Sequence, residues 1–280
     1  MSATTQVTGF PQYAGTRYRV SFGGLLKSEW IKFWSVRSIV VTMVVSAVAI
    51  VGLGVLLSWA TASTLSDPEL GPQMAAQGID STAASLQGAQ MATLIVAAVG
   101  VIVIAGEFST GMIRTTFVTA PGRLGVYAAK VVVLAVSVAV LSAAAVLVAF
   151  LAGQAILDGE GVGASLGDEG VLRALAGNVV MLVGVALAGL AVGAVLRNSA
   201  AAICTVLAAV FVVPLLLMAV PESWGGDTFR RYWFSNTVLN STAVLEQPTY
   251  LDVVPGLVAF AAWVAVLLGL GALSLKKRDV

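Results

Sequence analysis

Six apolar stretches separated by polar gaps dominate the chain, at residues 39–60, 90–106, 131–157, 174–196, 200–220 and 253–275. Each is close to the roughly 17–25 residues that an α-helix needs to cross a hydrocarbon core of about 30 Å. The pattern predicts an all-α, polytopic membrane protein with six transmembrane helices. Before the first stretch, residues 22–37 alternate differently. Leu25, Leu26, Trp30, Ile31, Phe33 and Trp34 mix at helical spacing with Lys27, Glu29, Lys32 and Arg37. Such a segment predicts an N-terminal amphipathic helix lying in the headgroup layer, indoles at the boundary and basic groups towards anionic lipid. Residues 1–20 are polar and read as a tail, so the membrane unit is expected over 21–280. Ala60-Thr61-Ala62 has the form of a signal-peptide cleavage site. The apolar run before it is too long for a signal peptide, which carries about 7–15 apolar residues, and reads as a retained span.

Charge sorts by gap. The two ends and the even-numbered gaps hold Arg17, Arg19, Lys27, Lys32, Arg37, Arg114, Arg123, Lys130, Arg197, Lys276, Lys277 and Arg278, twelve of the fifteen basic residues. Their only acids are Glu29, Glu107 and Asp279. The odd-numbered gaps hold the other eleven acids and only Arg173, Arg230 and Arg231. Short Lys/Arg-rich loops stay in the cytoplasm, so both termini are expected to be cytoplasmic. A soluble protein with six buried helices has no reason to sort its charges this way. The protein is expected in the cell (plasma) membrane of a prokaryote.

Composition narrows the chemistry. A mean hydropathy of +0.97 lies outside the range of soluble domains. There is no histidine and one cysteine, Cys204. That removes His triads, His metal sites, intramolecular disulfides and CxxC redox chemistry. No cofactor is expected, and the lack of a basic run interleaved with aromatics argues against nucleic acid as a partner. Nothing ionisable falls mid-stretch, as a proton relay would require. Gln154 and Asn178 are expected to bond across helices. Gly24-Leu25-Leu26-Lys27-Ser28 is not a phosphate loop, so the chain has no ATP-binding motif of its own and is not expected to be an enzyme.

Other local features shape the picture. Arg197-Asn198-Ser199 is short enough to force a tight antiparallel turn. Pro214 should loosen the fifth helix. Residues 61–89 and 158–170 read as solvated loops, the first with a short helix. Between Trp224 and Phe234, five aromatics in eleven residues predict a segment folded back against the membrane surface.

The gap after the second stretch reads Glu107-Phe108-Ser109-Thr110-Gly111-Met112-Ile113-Arg114-Thr115-Thr116-Phe117-Val118-Thr119-Ala120-Pro121-Gly122-Arg123, with Lys130 following. Phe108, Met112, Ile113 and Phe117 can share one side of a short helix that Pro121-Gly122 ends. This segment resembles the permease subunits of ABC-2-type ABC transporters. These carry an acid closing the second span, an apolar turn, Thr-x-Pro, then Arg and Lys before the third span. Glu107, Gly111, Thr119, Pro121, Arg123 and Lys130 match, as do the entry Glu29-Trp30-Ile31-Lys32 and the tail Lys276-Lys277-Arg278-Asp279. Met112, where the family often has Thr, departs from the pattern.

The resemblance implies a coupling helix over 108–117, its apolar side of Phe108, Met112, Ile113 and Phe117 docked in a groove of a separate ABC ATPase subunit, with Glu107 and Arg123 bracing it. It further implies two ATPase copies and a second permease copy or a paralogous permease. The activity implied is ATP-driven transport, an export of hydrophobic or amphipathic substrates. The rival readings are a non-transporting membrane adaptor or immunity protein and, disfavoured by the lack of intramembrane charge, a secondary transporter. The charge map makes a prediction. Cysteines placed near Asp80, Gly163 and Asp227 should react with an impermeant reagent added outside cells, and those near Gly122 or Asp279 should not. External labelling at Gly122 would overturn the map.

Overall fold

A computed structural model describes residues 21–119 and 122–278. The tail 1–20, Pro121 and Asp279 lie outside the described residues. Those described form helices and turns with no strand. Six helices are long and apolar enough to cross a membrane: α2 (Arg37–Leu65), α4 (Ser81–Ser109), α6 (Arg123–Leu157, with a 3-10 turn to Glu160), α7 (Val171–Leu196), the pair α8 (Ser199–Leu207) and α9 (Val213–Leu217), and α11 (Val253–Lys277). Shorter helices complete the chain: α1 (Phe22–Ser35), α3 (Gly71–Gln77), α5 (Met112–Thr119) and α10 (Gly226–Tyr232).

The bundle is organised around α4 and α7, whose apolar windows are 56% and 67% buried, against 17% for the fifth span and 11% for α11. Small residues let α4 approach its neighbours at backbone distance. A Cβ on Gly100 would stand 1.9 Å from the Ala186 carbonyl oxygen of α7, and one on Gly88 would stand 2.3 Å from that of Ile50 on α2. The GxxxG of α7 belongs to this packing. A Cβ on Gly189 or Gly193 would collide with α4 at Ala97 or Ile104, so the motif is spent within the chain.

The chain's two poles differ in charge. At one, the basic end, lie α1, α5, the α7–α8 turn and the end of α11. There Arg123 donates to the Leu275 and Arg278 carbonyls, and Arg197 donates to those of Ser274 and Arg278. At the other, the acidic end, Asp80 Oδ1 caps α4 by accepting from the Ala83 amide at 2.8 Å. Its Oδ2 accepts from the amides of Val244 and Leu245, both at 2.8 Å.

Several boundaries differ from the hydropathy reading. The second span begins at Ser81, not near residue 90, so much of the expected outer loop is helix. Ser81, Thr82, Ser85 and Gly88 are buried there, and Gln154 of α6 donates to the Ser81 carbonyl at 2.9 Å and to Ser85 Oγ at 3.1 Å. Polar and small residues at a helix–helix contact lower mean hydropathy without marking a loop. Likewise α6 begins at Arg123, which puts Lys130 two turns inside a helix. Pro214 acts as expected. It cannot donate to the ladder, and the preceding turn widens into a π-helix over Ala208–Val212. The Trp233 indole donates to the Ala209 carbonyl there at 2.7 Å.

The aromatic segment folds back onto α11 and the fifth span through part of its rings. Phe234 stacks on Phe260 of α11 at 5.1 Å, and Trp263 of α11 donates to the Tyr232 carbonyl at 2.9 Å. The Asn178 side chain, in α7, donates to the Thr242 carbonyl at 2.9 Å. Trp224, Phe229 and Tyr232 remain exposed.

These contacts predict unequal costs for equal substitutions. Gly100→Ala forces a Cβ into backbone and should destabilise the detergent-solubilised protein by at least about 1–3 kcal/mol. Gly52→Ala, with nothing within 4 Å, should be neutral or slightly stabilising. Thermal unfolding of the two variants side by side decides the matter.

Candidate functional site

Four charged side chains from three helices meet at the basic end. Glu29 and Lys32 come from α1, three positions apart and therefore on one face. Glu107 lies in the last turn of α4, and Lys130 reaches in from α6. Lys130 Nζ donates to Glu107 Oε1 at 2.6 Å and to Glu29 Oε2 at 2.8 Å. Lys32 Nζ donates to Glu29 Oε1 at 3.0 Å and to Glu107 Oε1 at 3.1 Å. The cluster carries two positive and two negative charges and nets to zero. Glu29, Glu107 and Lys130 are buried and Lys32 is half-buried.

Burial alone would lower the pKa of the Lys32 ammonium, but the carboxylates of Glu107 and Glu29 outweigh it and hold that pKa above the ordinary lysine value. The sign follows. A raised folded pKa contributes stability that is present below the unfolded value and lost only as pH rises through the folded one. Lys32 therefore stays charged at neutral pH.

A fifth contact carries the cluster to α5. Thr116 Oγ1 accepts from Lys32 Nζ at 3.4 Å. The helix itself starts after Gly111, whose φ of 72° suits a residue without a Cβ and turns the chain out of α4. Arg123 lies over the Phe117 ring at 5.5 Å, joining α5 to the start of α6. Arg197 lies over the Phe108 ring at 5.0 Å, joining the end of α4 to the α7–α8 turn.

The expected site residues distribute unevenly. Phe108 belongs to α4, so it does not share a face of α5 with Met112, Ile113 and Phe117. Ile113 is 2% exposed and Phe117 packs against the core, because α5 turns this side inward over α4 and α6. Its outward side carries Met112, Arg114, Thr115 and Val118, of which Val118 is 83% exposed. Glu107 takes lysines as its partners, while Arg123 turns to Phe117 and the end of α11. On α1, the charged and apolar residues divide between the bundle and the exposed side. Glu29, Lys32 and Phe33 face the bundle, while Trp30, Ile31 and Trp34 are exposed along with Lys27 and Arg37. Thr119 closes α5.

The meeting of Glu29 with Lys130 was not visible in the sequence, though a signal existed. Glu29 and Glu107 are two of only three acids on the basic side. Breaking a buried pair leaves an uncompensated charge. Lys130→Ala should therefore cost about 3–5 kcal/mol of stability, whereas Lys27→Ala, exposed on the same α1 face as solvent, should stay within about 0.5 kcal/mol. Chemical or thermal unfolding of both variants checks this.

Comparison with curated proteins finds no match. A family model described as ABC-2 family transporter protein matches residues 25–215, from α1 through the fifth span, and takes in all four members of the charge cluster. The chain therefore belongs to the ABC-2 family of transporter proteins, as a membrane component with no ATP-binding motif of its own.

Proposed function

We propose that this chain is the permease subunit of an ATP-driven exporter in a prokaryotic plasma membrane, with both termini in the cytoplasm. Residues 21–280 act as one membrane unit. A separate ABC ATPase supplies the energy, in two copies against two permeases, the second being identical or paralogous. The single observation that carries the reading is the placement of α5. It stands outside the six spans with one side turned out, and Lys32 bonds both its Thr116 and the Glu107 of α4. A push on α5 reaches α1, α4 and α6 together.

In this scheme Met112, Arg114, Thr115 and Val118 meet the ATPase, and the buried side with Ile113 and Phe117 passes the movement inward. ATPase closure draws the two α5 helices, and the space between the permeases opens alternately to each side. That space, lined by Val, Leu and Ala with few charges, suits hydrophobic or amphipathic substrates. The exposed indoles Trp30 and Trp34, 5.9 Å apart, suit α1 to the headgroup layer.

Two aspartate substitutions separate docking from folding. Val118→Asp places a charge on the outward side, where docking would bury it without a partner at a cost of several kcal/mol. Expected are normal membrane levels, weakened ATPase co-purification and lost transport. Ile113→Asp strikes the interior and should lower membrane levels of the chain itself. Full ATPase association and full transport by a normally expressed Val118→Asp would refute the docking role of α5.

A further inference from the structure

Outside the charge cluster, two cavities lie at the two ends of one seam. The larger, of about 430 Å3, is lined by apolar side chains of α6, α7 and α11, among them Ala139, Val183, Leu187, Phe260 and Leu268. The other, of about 280 Å3, lies at the basic end. Gly122, Arg123 and Leu124 from the start of α6 line it, with Lys276 from the end of α11.

Helical spacing joins the two. On α11, Leu257, Ala261, Ala265, Leu268, Ala272 and Lys276 follow one another at steps of three or four residues and form one stripe. On α6, Leu124, Ala128, Val131, Ala135 and Ala139 do the same. Each stripe has one end in the basic cavity and the other in the apolar one. No residue of either stripe is buried. Eight residues separate Leu268 from Lys276, about 12 Å at the helical rise, and one leaflet supplies about 15 Å of hydrocarbon. A chain anchored at Lys276 therefore reaches the apolar cavity from the leaflet at the basic end.

Charge selects the occupant. Lys276 and Lys277 are exposed, and neither pairs with an acid or bonds a carbonyl among the described residues. Arg123 stands at the same mouth, holding the carbonyls of Leu275 and Arg278. A second copy of the chain would share the orientation of the first. A symmetric contact along this seam would thus set Lys276 and Lys277 against their own counterparts, and juxtaposed like charges oppose association. A lipid with a net negative head supplies the charge that the mouth lacks, and its hydrocarbon covers the seam. Basic pockets between membrane helices suit such heads.

We propose that this seam seats an anionic phospholipid, its phosphate at Lys276 beside Arg123 and one acyl chain running along α11 to Leu268 and Ala265. The site lies within one copy of the chain and requires neither a transport cycle nor an ATPase.

Full-length protein in phosphatidylcholine nanodiscs tests this with two probes, phosphatidylglycerol and phosphatidylcholine, each carrying a diazirine on one acyl chain. Mass spectrometry should place saturable phosphatidylglycerol adducts on residues 261–268 and 131–139. They should exceed those of phosphatidylcholine by roughly fivefold or more, the factor that one basic group near an anionic lipid supplies. Val44 and Val48, on the exposed side of α2, report the surrounding lipid, and the preference there should be well below that at the seam.

Lys276→Gln combined with Lys277→Gln removes charge at exposed positions and leaves the apolar cavity intact. It should bring the preference down to the level on α2. Ala265→Trp fills the seam from its exposed side without entering the core and should reduce labelling of residues 261–268 by both lipids. Equal labelling by the two lipids, an undiminished preference in the lysine variant or undiminished labelling in Ala265→Trp overturns the proposal. So does efficient disulfide cross-linking of two chains through Ala265→Cys in a Cys204→Ala background, which would make the seam a contact between copies.

Discussion

Two lysines and two glutamates, placed where water is scarce, can coexist only if each finds its opposite. That requirement governs the basic end of this molecule. Removing ions from water costs several kcal/mol each, and pairing must return it. Glu29 is the sole acid of α1, and with Phe33 it is all that α1 buries. The helix is thus tied to the bundle by paired charge as well as by Phe33 and Leu26, which pack against the apolar core. Lys130 fixes the register of α6 in the same way, since sliding that helix by a turn would part its ammonium from Glu29 and Glu107.

Beyond the cluster, α4 is held along its length by contacts of another kind. Gly88 lies on the α2 backbone and Gly100 on that of α7, distances that leave no room for adjustment by side-chain rotation. Close-packed backbones behave as one body. The fifth span and α11 contrast with this. They are lightly covered, and a π-helical turn and Pro214 interrupt the fifth span. The molecule thus divides into a stiff pair, α4 with α7, and a side that the rest of the chain covers less. Force applied at Glu107 enters through the stiff pair.

What the sequence made legible follows from which interactions are local. Long apolar runs, the short Arg197-Asn198-Ser199 turn, Pro214 and the bonding of Gln154 to another span are properties of neighbouring residues or of residue type, and each could be read directly, whereas Asn178 bonds its own helix and the folded-back segment instead of a second span. The start of α4 could not. Ser81, Thr82, Ser85 and Gly88 look like loop because their burial depends on α2 and α6, not on their own hydropathy. The cluster unites residues 75 and 101 positions apart, and no spacing rule links them. Only the two misplaced acids hinted at it. For α5, the apolar positions were identified but not their direction. An amphipathic pattern says that one side is buried, and here the chain's own core claims Ile113 before any partner can.

The acidic end completes the mechanical picture. Asp80 caps the start of α4 with one carboxylate oxygen and holds the Val244 and Leu245 amides with the other, and the Arg173–Glu246 ion pair lies beside it. The helix that ends in Glu107 therefore begins in a residue that grips the folded-back segment before α11. Its middle cannot bend away from α7 without opening the contact at Gly100. A rigid rod fixed at both ends transmits displacement from one to the other. On the proposed reading, movement of α5 arrives at residues 243–246 through α4 itself, without needing a relay through the lightly packed helices. The segment that receives it is joined to α11 by the Phe234–Phe260 stack and by the Trp263–Tyr232 hydrogen bond. The least covered span is thereby the one that both poles of the molecule can move.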